Sequence, residues 1–192
     1  MKSLRLPFLT MLAVFWASTA LAHPGHDHAA NFQAGFAHPL TGMDHMLAMV
    51  SVGLWAAVRG GKAVWAWPLA FLTAMTAGGA LGLAGVQLPL AEPAILASVI
   101  VLGILVAAAV RAPLLAGAAL IALFGLAHGY AHGAEAPAGA AASYALGFLI
   151  VTAGLHLAGV AAGLGLPHLK QPLLVRLMGA GAALGGLVMV FS

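Results

Sequence analysis

The chain has 192 residues, of which 63% are apolar and only 6% charged, and its mean hydropathy is +1.07. Soluble domains carry about 25% charged residues, so seven basic and four acidic side chains cannot coat a water-facing surface. A soluble globular enzyme, a disordered chain and a nucleic-acid-binding protein are excluded. The composition is that of an all-α integral membrane protein, because helices satisfy their own backbone polar groups in lipid. Cysteine is absent, which removes disulfides, thiolate metal sites and cysteine nucleophiles. Nine histidines against four acids is the unusual feature.

Residues 1–22 have the pattern of a cleavable signal peptide: Lys2 and Arg5, an apolar run from Phe8 to Ala17, and Ala20-Leu21-Ala22 as an A-x-A cleavage site. The alternative is an uncleaved first transmembrane helix, and either reading leaves residue 23 outside the cytoplasm. Residues 23–34 then form a His-rich external tail, and residues 35–192 a transmembrane domain. Hydropathy predicts six spans, near 41–58, 63–86, 93–110, 113–131, 138–164 and 172–191. Each is close to the length of about 20 residues that crosses a bilayer core.

With the N-terminus outside, the first, third and fifth loops between the spans are cytoplasmic. They hold Arg59 and Lys62, then Arg111, then Lys170, with Arg176 just inside the last span, as the positive-inside rule expects. The acids Asp27, Asp44, Glu92 and Glu135 all fall on the external side. The predicted fold is a six-helix bundle in the bacterial cytoplasmic (inner) membrane, its N-terminus periplasmic or extracellular. Gly-rich runs such as Gly78-Gly79-Ala80 and Gly179-Ala180-Gly181 are expected to be packing seams between helices.

Three polar constellations lie toward the external face. His38-Pro39-Leu40-Thr41-Gly42-Met43-Asp44-His45 enters the first span. Pro39 and Gly42 put His38 on an extended or kinked lead-in, and Asp44 on its own also suits a helix cap. His128-Gly129-Tyr130-Ala131-His132-Gly133-Ala134-Glu135 closes the fourth span. There His128, His132 and Glu135 fall within about 60° of one another on one helix face, a spacing suited to closing on one cation. Ionisable groups beside a span are functional by default. The third is the tail, where His23, His26 and His28 read as metal capture.

Weaker candidates follow. Glu92 is either a helix-start carboxylate or part of the metal site. His156 is a second ligand along a path or, preferably, a packed histidine bonded to a neighbouring backbone carbonyl. Met43, Met46 and Met49 read as packing rather than soft ligands, and His168 has no role. Imidazole and carboxylate without thiolate favour Ni²⁺, Co²⁺ or Zn²⁺, with Cu⁺ a minor option through the methionines.

At these residues the chain resembles the HupE/UreJ nickel permeases. The His-x5-Asp-His run of His38, Asp44 and His45 and the run from His128 to Glu135 look like the family's two signatures. The signal peptide, the histidine after it and the six spans match as well. The resemblance implies uptake of Ni²⁺, sometimes Co²⁺, to serve nickel or cobalt enzymes, with His38, Asp44, His45, His128, His132 and Glu135 handling the metal. One place departs from the family: its second motif usually begins with Phe, and here that position is Ala127, a lost ring beside His128.

The function expected is therefore a secondary permease, not an enzyme, that binds Ni²⁺ or Co²⁺ transiently and holds no prosthetic group. Its partners are the divalent ion and the lipid bilayer, not nucleic acid; the sequence names no metal chaperone and no oligomeric state. Binding by neutral imidazoles should weaken as external pH falls below about 6.5. Along the path only Thr73, Thr76, Ser98, Thr152 and His156 offer polar groups. The rivals are an intramembrane zinc-dependent hydrolase and a non-conducting metal sensor or storage protein.

Overall fold

The structure is a computed structural model that describes residues 27–136 and 139–191, with side chains from residue 31 onward. The expected signal peptide, His23 and His26 lie outside the described residues, as does the side chain of His28. Among the described residues every regular element is helical: α1 (Asp27–Thr41), α2 (Met43–Arg59), α3 (Ala63–Leu83), α4 (Ala91–Ala107), α5 (Leu114–Glu135), α6 (Ala141–His168) and α7 (Pro172–Val190). Four of them, α3, α5, α6 and α7, are long and apolar enough to cross a membrane, and α4 is a shorter apolar helix.

The helices begin and end where the chain supplies turn chemistry. Gly60 and Gly61 take φ values of +71° and +60° between α2 and α3, a backbone that side chains with a Cβ resist. Pro172 opens α7 at its first position, where its missing N–H costs nothing. Two expectations shift. The lead-in to the first span is itself a helix, α1, which includes Pro39 near its end; the break falls at Gly42, in an extended conformation. The fourth predicted span continues past residue 131 to Glu135, so His132 and Glu135 are helical.

Packing follows the glycines. A Cβ on Gly125, Gly129 or Gly133 of α5 would strike the backbone of Phe71, Met75 or Gly79 of α3 in turn. The matched steps of four mean that the two helices run in the same direction. Gly159 and Gly163 of α6 meet Val50 and Leu54 of α2 in the same way, so that pair is also parallel. Gly103 of α4 meets Gly179 and Ala183 of α7, while Gly186 meets Ile100; that pair is antiparallel. Strict alternation of α2 through α7 requires all three relations. Such close approach permits Cα–H···O contacts worth about 0.5–1 kcal/mol each, which matters where lipid removes the hydrophobic drive between helices.

The bundle is inverted relative to a soluble protein. Leu115, Leu123, Leu157, Leu184 and Val188 point outward, whereas His45, Ser51, Ser98, His128, His132, Thr152 and His156 are buried. One end carries the cations: Arg59 Nε donates to Ala112 O at 2.9 Å and Arg176 Nε to Ala107 O at 2.7 Å. Trp55 and Trp67 pack ring to ring at 4.3 Å between centroids and donate to the carbonyls of Val110 and Leu114, closing that end. The histidines of the two motifs gather toward the other.

Candidate metal centre

The two motifs, far apart in sequence, meet where the start of α2 faces the last turns of α5. Gly42 sets the approach. A Cβ there would lie 3.0 Å from Asp44 Oδ1 and 3.4 Å from His45 Nδ1, so a larger residue would press on both groups. Thr41 Oγ1 donates to His38 O at 2.9 Å and Gly42 N–H to the same carbonyl at 3.2 Å, which tie off the end of α1. Asp44 lies in the first turn of α2, with Oδ1 accepting the backbone N–H of its neighbour His45 at 2.8 Å.

The same Oδ1 lies 3.1 Å from His45 Nδ1, so this ring nitrogen carries the hydrogen and Nε2 keeps its lone pair. His45 Nε2 faces His128 Nδ1 at 3.0 Å and is in contact with His132 Nε2. His128 is held from its other side. Ser98 Oγ donates to Ile95 O at 2.6 Å and so accepts from His128 Nε2–H at 2.9 Å. That assigns the hydrogen of His128 to Nε2 and leaves its Nδ1 unprotonated. Two lone-pair nitrogens thus face each other with no hydrogen between them, and a third nitrogen adjoins them. With the rings neutral, such a convergence repels itself unless a proton or a metal cation occupies it.

A second group lies at the mouth. Ligand atoms of His38, His132 and Glu135 lie within 4.8 Å of one another, and the His38 and His132 rings are 4.8 Å apart between centroids. His132 therefore belongs to both sets, one half-exposed and one buried. At the half-exposed edge, partial burial and the neighbouring His45 lower the His38 pKa below its ordinary value of 6.5, which favours the neutral, coordinating form.

All six residues expected to handle metal lie together. Asp44 Oδ1 is engaged by His45, the arrangement that carboxylates commonly take beside metal-bound histidines. Glu92, exposed in the first turn of α4, is not part of the His38, His132 and Glu135 group. Met43 is exposed and Met49 is wholly buried in the core. His156 corrects the expectation of a bonded, packed histidine: it is fully buried, and neither ring nitrogen has a hydrogen-bond partner. The reason is its register, which places the imidazole among apolar side chains rather than beside a free carbonyl.

Other parts escaped sequence reasoning. Ser98 stood out only as a polar group on the path, and nothing in its spacing pairs it with His128. Rings come from distant helices: Phe148 of α6 packs on His132 at 4.2 Å between centroids, and Phe71 of α3 on His128 at 5.6 Å. A cavity of about 400 Å³ opens between α3, α5 and α6 beside His132. Its walls, including Met75, Tyr144 and Phe148, are almost wholly apolar and do not suit a hydrated ion.

The family model described as HupE / UreJ protein matches residues 10–189. Protein HupE of Rhizobium leguminosarum bv. viciae is 42% identical over 182 residues, covering 92% of this chain and 93% of that protein. No solved structure matches the chain.

Proposed function

The chain belongs to the HupE/UreJ family, and from that premise we propose that it is a secondary permease importing a divalent transition-metal ion, Ni²⁺ or Co²⁺. The observation that carries the reading is the meeting of the lone-pair nitrogens of His45 and His128, with His132 Nε2 beside them. Neutral imidazole suits borderline divalent ions, and thiolate, which would select softer ones, is absent. The chain sits in the bacterial cytoplasmic membrane with α2 through α7 as six crossings, the histidine end outside and the arginine end inside, after removal of a signal peptide.

His38, His132 and Glu135 meet the hydrated ion first, gathered by the histidines of the tail. The carboxylate of Glu135 offsets charge while water is shed. His132 then hands the ion to His45 and His128, whose rings Asp44 and Ser98 hold in the donating orientation. The membrane potential draws it inward, at about 2.3 kcal/mol per charge for each 100 mV, hence about twice that for a divalent ion. Among the described residues the hydrolase alternative finds no anion-stabilising arginine at the site: Arg59, Arg111 and Arg176 all belong to the opposite end.

Proteoliposomes holding the purified chain and an internal metal-sensitive dye test the proposal. Saturable Ni²⁺ or Co²⁺ entry is expected, abolished in both Asp44→Ala and His132→Ala. Binding without entry would move the assignment to a sensor or storage protein.

A further inference from the structure

One face of α6 continues inward from the site. Phe148, Thr152 and His156 succeed one another at steps of four, the spacing that stacks side chains on one helix face. Phe148 already touches His132 and His45, at 4.2 and 6.0 Å between centroids. His156 is reached from the site through Phe71 as well, whose ring contacts His128 at 5.6 Å and His156 at 5.0 Å. Phe71 packs its backbone on Gly125, seven residues before His132, which sets this level about 10 Å deeper at 1.5 Å per residue.

Among the described residues, Thr152 and His156 of this face are unpaired, as is Ser51 on the adjoining α2. Thr152 and His156 are both 0% exposed, and neither Thr152 Oγ1 nor either nitrogen of His156 has a partner. A threonine in a helix can turn its hydroxyl onto the carbonyl four residues back, as the exposed Thr73 does to Leu69 O at 2.8 Å and the exposed Thr76 to Leu72 O at 2.9 Å. Thr152 does not. An unpaired buried imidazole costs stability, and Leu in its place would pack the same apolar surroundings at no such cost.

We propose that Thr152 and His156 form an interior station for the transported divalent ion, one that takes it from the histidine cluster and passes it toward the arginine end. The proposal rests on the permease reading and deepens it. One imidazole and one hydroxyl, completed by water the ion retains, form a weaker set than the three nitrogens outside. Weak interior binding is what passage needs, since an ion must leave each site as well as enter it. An interior station limits how fast bound ions pass, and leaves capture at the mouth unchanged.

The test compares Ni²⁺ entry into proteoliposomes for the wild type, His156→Leu, Thr152→Val and Asp44→Ala, with Co²⁺ absorption as the separate readout of the outer cluster. His156→Leu and Thr152→Val are expected to keep the Co²⁺ band and the half-saturating Ni²⁺ concentration, while maximal entry falls about tenfold or more. His156→Leu should melt at or above the wild-type temperature. Wild-type maximal entry in either folded variant overturns the station and leaves the outer site standing; should His156→Leu not fold, the near-isosteric Thr152→Val decides. An Asp44→Ala variant that keeps both the Co²⁺ band and entry overturns the outer site instead. No entry by the wild type overturns both.

Discussion

At His45 the ring is committed by its partner: Asp44 Oδ1 holds Nδ1 at 3.1 Å, which turns the lone pair of Nε2 toward the other histidines in the neutral ring. Asp44→Asn keeps the shape but offers an amide that can donate to Nδ1 and so reverse the tautomer. Loss of such an orienting partner costs about 10–100-fold in metal affinity, and Co²⁺ titration of the folded variant is expected to show it. Ser98→Ala removes the acceptor of the buried His128 Nε2–H. Its expected cost is about 1–3 kcal/mol of stability, read from thermal melting, together with weaker Co²⁺ binding. The pH dependence follows from His38. Metal needs the neutral imidazole, and the neutral form of this group persists below its ordinary pKa of 6.5. Co²⁺ binding at the mouth should therefore be half-lost only below pH 6.5, a lower midpoint than an unperturbed histidine gives; a midpoint at or above 6.5 contradicts this. Sequence spacing identified these residues as a group. It did not show that Asp44 acts through His45, because that depends on one hydrogen bond across the Gly42 bend.

Among the elements, the seam between α3 and α5 sets the position of His128 and His132. Gly129 and Gly133 flank these histidines, and their missing side chains let the backbones of Met75 and Gly79 approach. Gly129→Ala should therefore force the helices apart, at a cost of about 1–3 kcal/mol, and displace the histidines it adjoins. Gly154, on the outward face of α6, has nothing within 4 Å of an added Cβ. Gly154→Ala should be neutral or stabilise by up to about 1 kcal/mol through helix propensity. Melting curves in detergent with Co²⁺ binding on the same samples check the pair, and equal effects would contradict the seam. The glycines announced close packing in the sequence. Which helix each would meet was not readable there, since a glycine seam specifies nearness without naming a partner.

For the whole molecule, charge and packing give the bundle two unlike ends. The arginines tie the ends of α2, α4, α5 and α7 together, while Asp44 and Glu135 accompany the histidines at the other end. Because the chain lacks cysteine, single cysteines report sidedness cleanly. In intact cells stripped of their outer envelope, an impermeant maleimide should label Gln87→Cys and leave Lys62→Cys unlabelled until the membrane is opened. The reverse pattern would overturn the orientation. By itself the sequence determined an all-helical, lipid-compatible chain, the approximate helix limits and the residues rich in metal chemistry. Those properties are local: hydropathy, turn residues and 3.6-residue periodicity act within one segment. Only the tertiary structure decided that His45 meets His128, 83 residues away, that Ser98 fixes the ring between them, and that His156 and Thr152 are buried without partners. Such facts depend on which helices pack together and in what register, and this follows from the fit of whole surfaces rather than from any one stretch of chain.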